Sequence, residues 1–265
     1  MADRSSRAPR ALAYGLATLV LLFLLAPLAV LVLSSVNPTQ TVAFPPHGFS
    51  LRWYTAVLSS RDWLVSFQLS FLLVALVVPT AVVIGTLAGY GLVRGSFPGR
   101  GLLRGFALSP LMVPEIITGL GLLYYLHGIG LVDSIAGLWL AHTLVALPFV
   151  VRAVMVSAAG LDATLERAAA SLGASGPRVF FTVTLPLLRP GIVAGALLAA
   201  VMSLGEVAVT ALVAGAHTTT VPLRIFSAVQ FEIDPSIAAV STLLLVASVV
   251  VMVVADRFAK ITEVL

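Results

Sequence analysis

Long uncharged intervals separated by short clusters of charge dominate the pattern of this chain. Only Glu115 and Glu206 interrupt these intervals, and each interval holds an apolar run near the ~20 residues that a helix needs to cross the hydrocarbon core. Such a helix satisfies its own backbone hydrogen bonds where no water is available. The pattern therefore predicts six membrane-spanning helices, at about 12–36, 64–93, 105–127, 134–156, 190–214 and 235–256.

Composition agrees with this membrane assignment. The chain has 265 residues, of which 60% are hydrophobic and 10% are charged, whereas soluble domains contain roughly 25% charged residues. The predicted fold class is an all-α membrane protein with a single domain, 1–265, in contact with the lipid bilayer. The chain contains no cysteine, so disulfides and thiolate metal ligands are excluded.

The basic residues predict the orientation of the helices. Only Arg52, Arg61 and Arg224 lie on one side, and because cytoplasmic loops carry the excess of arginine and lysine, both termini are expected to be cytoplasmic. The net charge of +4 is spread over short loops rather than forming one patch, which argues for topology and against nucleic-acid binding. The other basic residues all fall on the predicted cytoplasmic side: Arg4, Arg7, Arg10, Arg94, Arg100, Arg104, Arg152, Arg167, Arg178, Arg189, Arg257 and Lys260.

Two inserts separate the predicted spans. The external one, 37–62, contains Trp53 and Tyr54, which suit either an anchor at the membrane interface or a docking surface for a soluble partner. The cytoplasmic one, about 159–187, begins with Asp162 as a helix cap and reaches Gly173, which is expected to end the helix. Its apolar residues recur at helical spacing, at Leu165, Ala168, Ala169 and Leu172.

This cytoplasmic pattern has two interpretations. A short helix with a small-residue face, turned sharply by glycine, can lie nearly parallel to the membrane and enter a groove in another protein. An ordinary amphipathic surface loop gives the same pattern.

The cytoplasmic insert resembles the E-A-A-x3-G-x9-I-x-L-P signature of the permease subunits of bacterial ATP-binding-cassette importers. Arg167 stands where the family usually has glutamate, and Glu166 comes one residue earlier. This departure raises the question whether Glu166 makes the acidic contact to the ATPase from a shifted angle. By this resemblance the ATPase-coupling residues are Glu166, Arg167, Ala168, Ala169, Gly173, Leu185 and Pro186, with Val183 at the isoleucine position.

Other segments are similar to the spermidine/putrescine-type permeases. The resemblance implies the type I importer permease fold with cytoplasmic coupling helices, in a bacterial inner membrane. It also implies a second permease subunit forming a heterodimer, two copies of a cytoplasmic ATPase and an external substrate-binding protein. Polyamines or a related small charged solute are the implied substrates. The similar segments are Phe44–Tyr54, Phe97–Arg100, Val113–Ile116, Ala141–Thr143 and Thr218–Ile225.

The residues themselves exclude ATP hydrolysis by the usual chemistry. A phosphate-binding loop needs a lysine after its glycine-rich turn, and the single lysine of this chain is Lys260, near the C-terminus. No H-E-x-x-H or G-x-S-x-G pattern occurs either. We therefore expect a non-catalytic translocation subunit without a cofactor of its own, while ATP and Mg²⁺ bind to the partner ATPase.

The two acids within the predicted spans are the remaining candidates. A charged side chain costs roughly 2.5 kcal/mol or more at the centre of a membrane helix, so Glu115 and Glu206 are expected to face protein or water. They could line the pathway and attract a cation, or gate it, or they could be satisfied polar contacts, with His142 as a possible partner. His142 itself suits a hydrogen-bonded core residue better than a metal ligand. The alternative function is a proton-coupled secondary transporter or channel that uses both acids.

Overall fold

The computed structural model describes residues 7–40, 44–231 and 235–261, and the regular structure in these ranges is entirely helical. The predicted all-α class is therefore confirmed. Arg4 and residues 41–43 of the insert predicted to be external lie outside the described residues. In chain order the helices are α1 Arg7–Ser34, α2 Arg52–Ser59, α3 Arg61–Arg94, α4 Arg100–Leu108, α5 Glu115–Gly128, α6 Ile135–Gly160, α7 Ala163–Ser171, α8 Gly176–Val179, α9 Leu185–Leu187, α10 Arg189–Gly205, α11 Thr210–Val213, α12 Val221–Phe231 and α13 Ser236–Ile261.

Four single helices in the described residues are long and apolar enough to cross a membrane, namely those within α1, α3, α6 and α13. Two further spans qualify only as bent pairs, so the total rises to six when each pair counts as one. One pair joins 100–111 to 115–128 at an angle of 101°, and the other joins 176–187 to 189–205 at 68°.

The structure differs from two of the predicted continuous helices. The predicted span 105–127 bends between α4 and α5, where Pro110 and Pro114 each remove a backbone donor. The predicted span 190–214 stops at Gly205, because Glu206 has an extended backbone with ψ 119°, and helix resumes only in α11. The two breaks lie beside Glu115 and Glu206, the acids within the predicted spans, and therefore determine which groups surround them.

One compact unit contains residues 62–226 and 246–265. Its core packs α3, α6 and α10 around buried residues that include Val77, Val150 and Ala199. A Cβ atom at Gly85 would lie 2.7 Å from Val150 Cγ1, and one at Gly195 would lie 3.0 Å from Val150 Cα. Because lipid gives helices no hydrophobic reason to associate, close packing of this kind, which glycine permits on either side of Val150, helps to hold α3, α6 and α10 together.

The other compact unit contains residues 1–61 and 227–245. Its insert, which the sequence predicts to be external, is held by hydrogen bonds of its aromatic residues. Trp53 Nε1 donates a hydrogen bond of 2.9 Å to the carbonyl of Asn37, and the Tyr54 hydroxyl lies 2.6 Å from Ser35 Oγ. These two contacts hold α2 against the residues that follow α1. Whether Trp53 and Tyr54 anchor the membrane interface or bind a soluble partner stays a prediction.

Candidate functional site

The segment 162–187, hereafter the coupling segment, starts with a capped helix. Asp162 Oδ1 accepts a hydrogen bond of 2.9 Å from the backbone N–H of Thr164, at the start of α7. The hydrogen bond from Thr164 holds the pKa of Asp162 below its usual value. The predicted cap at Asp162 is thus confirmed, and it fixes where the helix begins.

Gly173 ends this helix as predicted, with a left-handed backbone at φ 87°. Its N–H donates to the carbonyl of Ala170 at 2.9 Å, and the N–H of Ala174 donates to the carbonyl of Ala169 at 3.2 Å. This pair of bonds satisfies carbonyls that would otherwise be unpaired at the helix end. The left-handed residue turns the chain back towards α8.

The returning half of the coupling segment is irregular around Pro186. Residues 180–184 form a wide helical turn between α8 and α9. Because Pro186 has no N–H, the carbonyl of Thr182 loses the donor it would have in a regular helix. Leu185 and Pro186 are half-buried, and the chain then enters α10.

Glu166 points into the protein. Its Oε2 lies 3.3 Å from Arg94 Nε in an ion pair, and its Oε1 accepts hydrogen bonds from the Thr184 hydroxyl at 2.8 Å and the Tyr90 hydroxyl at 3.1 Å. The exposed fractions of the two charged side chains are 23% for Arg94 and 16% for Glu166. A single carboxylate therefore joins α7 to α3 and to the returning half of the coupling segment.

Arg94 extends this connection to α6. Its Nη2 donates a hydrogen bond of 2.7 Å to the carbonyl of Leu161, which directly follows α6. The ring of Tyr90 also packs against Phe180, with ring centroids 5.3 Å apart. We call Tyr90, Arg94, Glu166 and Thr184 the anchor cluster. Sequence reasoning assigned Arg94 a role only in topology, because its partners Leu161 and Glu166 lie 67 and 72 positions away.

The opposite side of α7 is exposed and largely apolar. Leu172 is 90% exposed and Leu165 is 48% exposed, while Phe181 on the returning half is 65% exposed. Arg167, Ala168 and Gly173 are also exposed, whereas Ala169 is half-buried. The predicted coupling residues thus divide between an inner side that contains Glu166 and an outer side that contains Arg167 and Ala168.

Glu206 and His142 belong to one buried polar network. Glu206 is 4% exposed, and its Oε1 accepts a hydrogen bond of 2.8 Å from the N–H of Val209, which caps the turn before α11. His142 lies 3.0 Å from both Ser203 Oγ and Thr210 Oγ1. Because the Thr210 hydroxyl donates to the Glu206 carbonyl, His142 Nε2 must donate to Thr210. Thr210 therefore links His142 to the backbone carbonyl of Glu206, while the Glu206 carboxylate accepts from Val209. The role of both residues in the pathway stays a prediction.

Glu115 has a different environment. It is exposed at the first position of α5, where the helix dipole favours a carboxylate. It borders a cavity of about 90 Å³ together with Val145 and Phe149 of α6. Among the described residues, no group of three or more histidine, aspartate or glutamate side chains could hold a metal ion.

Gly119 fixes the distance between α5 and the turn that Glu206 caps. A Cβ atom there would lie 3.1 Å from Val209 Cα and 2.8 Å from Leu212 Cδ1. We expect Gly119→Leu to lower the free energy of unfolding by about 1–3 kcal/mol through overpacking. Thermal unfolding in detergent measures this, with Gly121→Leu as the control because nothing lies within 4 Å of a Cβ at Gly121. Equal losses in both variants would contradict the expectation.

Sequence reasoning did not identify a contact made by Asp133 on the side predicted to be external. Asp133 has φ 55°, and its Oδ1 accepts hydrogen bonds from the Thr218 hydroxyl at 2.7 Å and the N–H of His217 at 3.2 Å. The hydrogen bond from Thr218 holds the pKa of Asp133 below its usual value. This contact joins the loop before α6 to the loop before α12.

Comparisons with known proteins are consistent with this geometry. Residues 81–263 match the family described as binding-protein-dependent transport system inner membrane component. The chain is 35% identical over 230 residues to the putrescine transport system permease protein PotI of Escherichia coli strain K12, covering 84% of this chain and 82% of that protein. It is 29% identical over 251 residues to the spermidine/putrescine transport system permease protein PotC of the same strain, covering 95% of each.

A solved structure shares the fold. It is a bacterial ABC transporter involved in the import of the acidic polysaccharide alginate, with a TM-score of 0.76 over 97% of this chain and 99% of that chain. The sequence identity is 16%, so this likeness bears on the fold alone.

Proposed function

The chain belongs to the family of binding-protein-dependent transport system inner membrane components and is a permease subunit of an ATP-binding-cassette importer, and from this premise we propose how it works. The coupling segment docks onto a cytoplasmic ATPase. Two copies of that ATPase bind ATP and Mg²⁺, and their motion drives alternating access. This chain forms part of the translocation pathway and supplies no catalytic residue.

The observation that carries this proposal is the two-sided construction of α7. Its outer side exposes Leu172 and Leu165, an arrangement that favours docking into a groove. Its inner side is fixed to α3 by Glu166 and Arg94. A helix that is apolar outside and anchored inside can pass the motion of a docked partner to the membrane helices, whereas an ordinary surface loop needs no such anchor.

The other partners and the orientation are proposed from charge and family. The excess of arginine on one side supports cytoplasmic termini, with the coupling segment on that side. A second permease subunit, in a heterodimer, completes the pathway. The family description supports an external binding protein that delivers the substrate.

We assign polyamines as the substrate class. Support comes from the two relatives, whose names specify putrescine and spermidine/putrescine, and from the exposed carboxylate of Glu115 beside a cavity. Glu206 and His142 then support the helices that line the pathway and do not contact the substrate, since their hydrogen bonds go to protein groups. The same use of Glu206 as a cap disfavours it as a proton carrier.

Uptake of putrescine into proteoliposomes tests the proposal. We expect uptake to require ATP and the binding protein and to resist a protonophore. Transport that proceeds without ATP and stops with the protonophore would overturn the importer mechanism in favour of proton coupling.

Glu115→Gln tests the cation pathway separately. We expect it to reduce putrescine uptake about threefold to tenfold, because a carboxylate near a low-dielectric cavity attracts a cation and an amide does not. Uptake of a neutral analogue that the binding protein accepts should change less. Equal effects on both solutes would show that Glu115 does not act on substrate charge.

A further inference from the structure

The acids of the coupling segment have hydrogen-bond or ion-pair partners within the protein, whereas its two arginines are exposed. The segment contains Asp162, Glu166, Arg167 and Arg178. Asp162 caps α7 through Thr164, and Glu166 is paired with Arg94. In the described part of the chain, neither Arg167 nor Arg178 has a carboxylate within ion-pair distance. Both arginines are exposed. The exposed surface of the segment therefore combines apolar side chains with two arginines, and its one exposed acid, Asp162, accepts the hydrogen bond that caps α7.

Helix geometry fixes this polarity. Successive residues of an α-helix are about 100° apart, so Arg167 and Ala168 lie about 100° and about 200° around α7 from Glu166. Because Glu166 is turned inward towards Arg94, both residues are turned away from it and are exposed. The exposed leucines lie on the flank of Ala168, and Arg167 lies on the other flank. Bringing Glu166 to the outer side would break the ion pair and both hydrogen bonds of Oε1.

An exposed arginine on α7 constrains what it meets when the helix enters a groove. A groove that encloses both flanks of α7 removes water from Arg167 as well as from the leucines, and an arginine that loses water without gaining a partner is costly. A carboxylate is the group that matches the guanidinium, with up to two parallel hydrogen bonds.

From these observations we infer that the groove of the cognate ATPase that receives α7 carries an aspartate or glutamate facing Arg167. This inference rests on the proposed docking of the coupling segment. Beyond docking itself, the inference specifies that the partner residue is negatively charged. That charge would help to determine which ATPases this permease accepts.

The single lysine and the absence of cysteine make a direct test possible. The complex is purified with its native ATPase from the source bacterium, in a Lys260→Arg background. Arg167→Lys keeps the positive charge and supplies the only side-chain amine of the chain. A carbodiimide, which joins an amine to a contacting carboxylate without a spacer, should then link permease to ATPase through an acidic residue identified by mass spectrometry. Arg167→Gln is the matched control and should give no such link.

Association with the ATPase gives a second measurement. Arg167→Glu should weaken it about tenfold or more because two carboxylates then face each other, while Arg167→Lys should stay within about threefold of the wild type. If Arg167→Glu binds like the wild type and Arg167→Lys gives no carbodiimide link, the inferred acid is absent.

Docking itself is tested without reference to charge. Ala168→Cys, labelled with a benzophenone maleimide, should photocrosslink to the ATPase because the label reacts with any nearby C–H bond. A positive photocrosslink with no carbodiimide link overturns the inferred acid and leaves docking intact. If the ATPase co-purifies but Ala168→Cys does not crosslink to it, the proposed docking segment is wrong, and with it the inference.

Discussion

Replacing Glu166 by alanine is expected to release the coupling segment from the membrane helices and to remove most ATP-driven uptake. The carboxylate holds Arg94, Tyr90 and Thr184 at once, and its loss leaves a largely buried arginine without its counter-charge. Breaking such a pair costs about 2–4 kcal/mol after allowance for its partial exposure. Local opening of the segment should therefore become about thirtyfold to several hundredfold more frequent, since 1.4 kcal/mol is about tenfold.

Hydrogen exchange of the backbone amides at 162–187 measures this opening, and uptake by the reconstituted complex measures its consequence. Glu166→Gln should be intermediate, because its amide oxygen can still accept from Thr184 and Tyr90 but carries no charge. Arg94→Ala combined with Glu166→Ala should cost less than the sum of the two single changes, as expected for residues in direct contact. Unchanged exchange in Glu166→Ala would show that the anchor cluster does not hold the segment.

Gly173→Val should also uncouple or disassemble the complex, for a different reason. A left-handed backbone costs a residue with a side chain about 1–2 kcal/mol, and a β-branched residue tolerates it worst. The strain lies in the backbone, because a Cβ at Gly173 would meet nothing within 4 Å in this chain. The valine variant should relieve the strain by redirecting Ala174 and the returning half of the segment, which displaces the docking surface.

The matched variants separate backbone strain from bulk. Gly173→Asn should retain most uptake because asparagine adopts the left-handed region more readily, and Gly173→Ala should lie between asparagine and valine. Co-purification of the ATPase and the rate of uptake give the ranking. Normal assembly and uptake in Gly173→Val would count against the turn as a requirement for coupling.

Much of the coupling segment could be predicted from the sequence because its signals are local. Asp162 at the start of α7 and Gly173 at its end act on neighbours within a few residues, and both were confirmed. Of the four residues that the periodicity groups on one face, Leu165, Ala168 and Leu172 are exposed and Ala169 is half-buried. The period of a helix does not say whether a face turns inward or outward, so the direction of Glu166 could not be predicted. Its role as an ATPase contact stays a prediction, and the observed ion pair argues for a role in anchoring the segment.

The surroundings of Glu115 and Glu206, the two acids within the predicted spans, could not be predicted from the sequence either. Their cost in hydrocarbon predicted that both would be covered or solvated, but not which residue would have which environment. That depended on the break after Gly205, which lets Glu206 accept from Val209, and on the bend after Pro110, which leaves Glu115 exposed beside α6.

The sequence by itself determined that this is a helical membrane protein with up to six spans, and it indicated the side on which the coupling segment lies. These properties follow from apolar length, charge and backbone stereochemistry, which act within one helix or one loop. The tertiary structure alone decided where two spans bend, that Arg94 and Glu166 meet from positions 72 residues apart, and that Arg167 faces outward. Such contacts depend on how α3, α6 and α10 pack against one another, and close packing of small residues is a property of the assembled helices rather than of any one of them.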